Sequence, residues 1–128
     1  MLILKTEFIL FYTGWQEKWG TSAYFESFPV FTPEAARWLA QHPLKGVGFD
    51  TISPDLTDSA EYSNHHILME KEILIYENLT HLEQLPGDVF MFYGMPVKLA
   101  NAEGAPVRAF AETTTVSRSL SVPPTTSI

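Results

Sequence analysis

The stretch "KGVGFDTISPD", Lys45 to Asp55, decides how the rest of the chain is read. Its first half is small and apolar, with two glycines in four residues. That is the pattern of a short strand buried on both faces, over roughly 46–50. Its second half is rich in Asp, Ser and Pro, the composition of a loop. A buried strand that opens into a polar loop is the usual place for a ligand site in an α/β sheet.

Strands and helices alternate outward from this point. Upstream, 2–12 reads as a strand with a polar interruption, because "EFILFY" is aromatic and β-branched and "TGW" closes it. An aromatic loop punctuated by Gly and Ser follows. Thr32, Pro33 and Glu34 then supply an N-cap, a proline at the first helical position and a first-turn acid, so the spacing predicts a helix over 33–42. Downstream, 64–72 is helical or turn-like. "ILIYENL" is apolar on both faces, as a central strand would be. "LTHLEQLPGD" is a short helical turn, "DVFMFYGMPVKLA" a strand with a Gly-Met-Pro break, "NAEGA" a tight turn and "PVRAFAE" a last strand. The class is therefore α/β. No internal repeat is visible. The Thr-, Ser- and Pro-rich tail over 113–128 is expected to be loosely ordered.

Bulk properties narrow the chemistry. At 128 residues, with 45% hydrophobic and 18% charged side chains, the chain suits one globular domain. A formal net charge of −7 and only eight Lys and Arg argue against binding a phosphate backbone. The absence of cysteine removes disulfides and thiolate metal sites, leaving His, Asp and Glu as ligands. Lys5 and Glu7 interrupt the apolar start, which has neither the length of a membrane span nor the pattern of a signal peptide. A cytoplasmic location is the default expectation.

Three groups of residues could carry chemistry. In "NHHILMEKEILIYENL", Asn64 to Leu79, His65 and Glu77 stand twelve residues apart, at the two ends of a helix-to-strand passage. Imidazole and carboxylate together are common ligands for zinc or manganese. Taken alone, the spacing arises often by chance, and solvated helix-start histidines with an exposed strand-end glutamate are the more common explanation. Asp50 ends the buried strand and Asp55 and Asp58 follow in the loop, where capping and turn roles compete with ligand binding. Trp15, Trp19, Tyr24 and Phe25 could line an aromatic pocket, or simply pack on a sheet. No glycine-rich phosphate loop or serine nucleophile elbow is present.

Taken together, "TGW…W…YF…TPEAARWLAQHPLKGVGFDTISPD", "HHILMEKEILIYENLTHLEQLP" and "GMPVKLANAEGAPVRAFA" resemble the second half of the cyclase family. That family includes kynurenine formamidase (arylformamidase) and isatin-hydrolase-like enzymes. The resemblance covers roughly residues 8–111. It implies a swivelling β/β/α fold, truncated at the N-terminus, in a partial domain over 1–112. It also implies hydrolysis of a small amide or lactam assisted by a divalent metal, zinc or manganese. Position by position, His65 and Glu77 fall on the family's later metal ligands. Trp15, Trp19 and Asp50 are candidates for a substrate pocket. His66 stands where the family often has Arg and receives no role.

One departure bears on activity. The family's His-x-Gly-Thr-His-x-Asp-x-Pro-x-His string, source of most ligands and of the general base, is absent. None of the four histidines, His42, His65, His66 and His81, stands in that context. Two ligands are fewer than the three that a catalytic zinc takes from protein. The resemblance thus implies weak or no activity for the chain alone, with the remaining ligands supplied by another polypeptide or another copy. The alternative is a non-catalytic remnant serving in binding or oligomerisation. Under either reading an open sheet edge predicts a homodimer or larger assembly.

Overall fold

The computed structural model describes residues 2–113 and 125–127. Two compact units divide the chain, Met1–Leu79 and Thr80–Ile128.

The first unit is built on a three-stranded parallel sheet of β1 (Phe8–Phe11), β2 (Gly46–Phe49) and β3 (Leu74–Tyr76), in that spatial order. Parallel neighbours require crossover connections. Here these contain the helices α1 (Pro33–Leu39) and α2 (Ser63–Met69), which pack against each other. The helix α1 begins as its sequence predicts. The Thr32 hydroxyl accepts from the Ala35 N–H at 3.2 Å, and Pro33 opens the first turn.

The register places Ile9, Phe11, Val47, Phe49 and Ile75 on one face of the sheet. There they join Leu39, Leu44, Leu68 and Ile73 in a single apolar core. The opposite face is different. Its central positions are Gly46 and Gly48, so Phe8 on β1 and Tyr76 on β3 reach over the middle strand and meet edge-on at 6.2 Å. Strands lie about 4.8 Å apart, and only a strand without side chains on that face allows such an approach. A Cβ at Gly46 would stand 2.8 Å from the Phe8 ring and 3.2 Å from the Leu74 carbonyl oxygen.

Several expectations need correction. The run 2–12 is not one strand: Leu2–Lys5 forms a 3₁₀ turn, with the Thr6 N–H donating to Ile3 O, and β1 starts only after the polar interruption. The segment "ILIYENL" is not central among the described strands. β3 is an edge of its sheet, and Leu74 is 56% exposed. The middle strand is the glycine-rich β2, whose burial is complete along its length. The aromatic loop is also more regular than expected, holding two 3₁₀ turns at Trp15–Lys18 and Ser22–Phe25.

The second unit begins with a 3₁₀ turn at Leu82–Gln84 and continues into an antiparallel sheet of β4 (Met91–Pro96), β5 (Val107–Glu112) and β6 (Thr125–Ser127), in that order. Gly94, Met95 and Pro96 continue β4 in register instead of breaking it. Tyr93 stacks on Phe110 across the pair at 4.7 Å, and its hydroxyl donates to Glu112 at 3.1 Å. The tail expected to be loosely ordered falls largely at 114–124 and 128, outside the described residues, while 125–127 are the strand β6. Among the described residues no helix is long and apolar enough to cross a membrane.

Candidate metal and hydrolase site

All three parallel strands end at the same edge of the first sheet, and the loops leaving them are tied together. Asp50 follows β2 and is fully buried. Its Oδ1 accepts the Thr13 hydroxyl at 2.7 Å, and its two oxygens accept the Thr13 N–H at 3.1 and 3.2 Å. A buried carboxylate needs such donors, and here they fasten the end of β1 to the end of β2. On the other side, the Asn78 N–H donates to Thr51 O and the Leu79 N–H to Phe49 O, each at 2.9 Å. These bonds fasten the end of β3.

The loop after Asp50 delivers Asp55 to the start of α2. That helix has no cap of its own: Tyr62, at its N-cap, is left-handed and makes no side-chain capping bond. The first N–H groups of a helix have no partner within it and favour an anion. Asp55 meets that need from nine residues upstream, accepting the N–H groups of Asn64 and His65 at 3.0 Å each. The same carboxylate lies 2.8 Å from Nδ1 of His65. Burial pushes the Asp55 carboxyl up, but the bonds from Asn64 and His65 outweigh it and hold it below the usual range.

His65 is thereby fixed with its other nitrogen facing outward from α2. Its Nε2 lies 3.4 Å from Oε1 of Glu77, the residue after β3. The structure brings together the two residues that the resemblance marked as ligands. With Nδ1–H donating to Asp55, Nε2 holds either a lone pair for a metal or a proton for Glu77. An imidazole whose second nitrogen is held by a carboxylate is the usual outer arrangement of a metal-ligating histidine. Glu77 is half-buried. Burial pushes its carboxyl up, opposed by the His65 charge and hydrogen bond. Imidazole nitrogen and carboxylate oxygen are donor types that divalent cations take. Among the described residues no group of three or more His, Cys, Asp or Glu is arranged to hold a metal ion.

The remaining candidates are placed elsewhere. His66 is exposed on α2, and Asp58 is exposed in the loop. Trp15 spends its indole N–H on the Tyr24 carbonyl at 2.9 Å, with the Lys18 ammonium 3.4 Å from its ring centre. Trp19 is 67% exposed and rests edge-on against Tyr24 at 5.0 Å. A small cavity of about 110 Å³ lies by the strand ends, lined largely by Phe11, Phe31, Phe49 and Pro54; Trp15, Trp19 and Asp50 are not among its walls.

Two residues escaped the reading of the sequence. Asp55 was one of three loop acids with nothing to separate it from Asp50 and Asp58. Ser63 and Asn64 both read as possible caps, so the sequence held no sign that the helix start needs Asp55. Tyr24, read as one of several loop aromatics, is fully buried and donates its hydroxyl to the Asn78 side chain at 2.8 Å, with Asp50 O at 3.3 Å. Burial and the charges of Asp50 and Glu77 push its phenol up to about 12.

With this geometry in view, comparison with known proteins is direct. Residues 2–56 match the cyclase family model, described as "Putative cyclase". A kynurenine formamidase from Bordetella avium is 32% identical over 84 residues, covering 66% of this chain and 40% of that protein. One from Geobacillus thermodenitrificans is 33% identical over 102 residues, covering 79% and 47%. Among solved structures, isatin hydrolase A from Ralstonia solanacearum superposes with a TM-score of 0.66 at 26% identity, over 80% of this chain and 43% of that one. A protein described as a potential metal-dependent hydrolase with cyclase activity superposes at 0.58 with 27% identity, over 80% and 48%. Residues 2–56 are thus similar in sequence to the cyclase family, and the mixed α/β fold is similar to that of these hydrolase structures over the region they share. The chain spans about half the length of the curated relatives it matches.

Proposed function

We propose that this chain carries part of the site of a metal-dependent hydrolase acting on a small amide or lactam in the cytoplasm. The observation that carries the reading is the line Asp55–His65–Glu77, in which one carboxylate holds Nδ1 and the other faces Nε2. His65 and Glu77 would hold a zinc or manganese ion, and Asp55 keeps the imidazole turned toward it. Such an ion supplies Lewis acidity toward the carbonyl and makes water more acidic. The protein's own part is to orient two donors and to keep Glu77 half out of water, where its charge interacts strongly. A catalytic zinc takes three ligands from protein, so at least one beyond His65 and Glu77 is required. The names of the relatives, kynurenine formamidase and isatin hydrolase, support the substrate class.

Calorimetric titration of the metal-free chain with zinc and manganese, followed by turnover of an aryl formamide and a lactam, tests the reading. Stoichiometric uptake with little turnover is the expected result. No uptake at millimolar metal would remove His65 and Glu77 from a metal site.

A second reading, a binding or oligomerisation module without chemistry, has its own observation. In the second unit Met91, Met95, Val97, Leu99 and Val107 are all exposed. Apolar surface of that kind favours association. Self-association without metal uptake would select this reading.

A further inference from the structure

Among the described residues the Glu77 carboxylate has one polar contact, with Nε2 of His65, and that contact is long at 3.4 Å. Its direction therefore depends on the backbone that carries it. β3 ends at Tyr76, and the chain turns at Asn78, whose φ of +58° lies in the left-handed region. Asparagine tolerates this region better than most residues. The turn is held at three points. Two are the backbone bonds to Thr51 and Phe49. The third is a side chain: Oδ1 of Asn78 accepts the Tyr24 hydroxyl at 2.8 Å.

Tyr24 lies 54 residues upstream of Asn78 and is only 1% exposed. The loop that carries it is itself pinned by the Trp15 indole on the Tyr24 carbonyl, and Trp19 and Phe25 pack edge-on against its ring at 5.0 and 5.6 Å. A phenylalanine would fill the same space and make the same ring contacts. What the hydroxyl adds is a fixed donor for the residue next to Glu77.

We infer that Tyr24 is a positioning residue for Glu77, acting through Asn78 to set where the carboxylate meets Nε2 of His65. The inference deepens the proposed metal-site reading and in that respect rests on it, but the positioning itself concerns groups present without metal. It also gives the aromatic loop a purpose, since Trp15 holds Tyr24 and Tyr24 holds the turn after β3.

The test uses the full chain with Tyr24→Phe, Glu77→Gln, and the two combined. In metal-free protein the ring nitrogen shifts of His65 and the carboxyl carbon shift of Glu77 report their contact. Tyr24→Phe is expected to move both while the fold is retained, and to weaken zinc binding about tenfold, the lower end of what outer partners of metal ligands contribute. In the Glu77→Gln background it is expected to leave zinc affinity unchanged. Asn78→Gly keeps the left-handed turn but removes the acceptor, and is expected to reproduce the shifts of Tyr24→Phe. This second variant decides the matter should Tyr24→Phe fail to fold. Unmoved His65 and Glu77 shifts, or equal weakening of zinc binding in both backgrounds, would overturn the role. Absence of zinc binding in the unsubstituted chain would count against the metal reading only, and the shifts would still decide for or against Tyr24.

Discussion

Asp55 and His65 are joined twice: the carboxylate accepts the His65 backbone N–H at 3.0 Å and lies 2.8 Å from its ring Nδ1. One side chain thus caps the helix and orients the imidazole.

Replacement of Asp55 by Asn tests the double role. The amide keeps one acceptor where several donors converge, and hydrogen bonds to charged groups are worth about 1.5–3 kcal/mol. A stability loss of about that size is expected in urea unfolding at neutral pH. The pH dependence has a definite sign. A carboxyl depressed in the folded state stabilises above its unfolded value, about 3.9, and that stability is lost as pH falls below it. Asp55→Asn is expected to flatten the acid limb of the stability curve. An unchanged limb would show that Asp55 does not carry it.

Tyr24 gives a prediction at the other end of the pH scale. Its phenol is pushed up to about 12 by burial and by Asp50 and Glu77. A group with a raised folded value stabilises fully below its unfolded value, about 10 for tyrosine, and the stability is lost as pH rises toward the folded value. Following tyrosinate absorbance, a late step near pH 12 is expected, and Tyr24→Phe is expected to remove it. Persistence of that step in the variant would assign it to another tyrosine.

Gly46→Ala tests the crossing of Phe8 and Tyr76 over the middle strand. The new methyl meets a rigid ring at 2.8 Å and a backbone carbonyl at 3.2 Å. Overpacking of this kind costs about 1–3 kcal/mol, read as a lower unfolding midpoint. A stabilised variant would show that this face of the sheet is open.

Leu68→Ala tests how α2 is held. Leu68 is completely buried in the core beneath the helix that carries His65. Such truncations cost about 2–5 kcal/mol. Weaker zinc binding is expected alongside the stability loss, because α2 sets the position of Nε2. Full affinity in the destabilised variant would separate the site from the packing of the helix.

The sequence made some of this plain and concealed the rest for physical reasons. The helix α1 was legible because its cap, proline and acid are local signals. β2 was legible from its unbroken small apolar residues. The rank order of strands was not, since "ILIYENL" looks more buried than "GVGF" by composition. Glycines in a middle strand are there for what crosses above them, and that depends on partners 38 residues away, as Phe8 is from Gly46. The pairing of His65 with Glu77 came from family resemblance, as spacing alone favoured a structural role for both. Asp55 and Tyr24 act across nine or more residues, on a backbone cap and on a side-chain amide, and no short pattern encodes either.

The attachment of Asp55 to both the first turn of α2 and the His65 ring makes local folding and chemical readiness a single event. If that turn opens, the imidazole loses its orientation at the same moment. Protection of the Asn64 and His65 amides from hydrogen exchange would then measure how often the ligand is set, with neither metal nor substrate present.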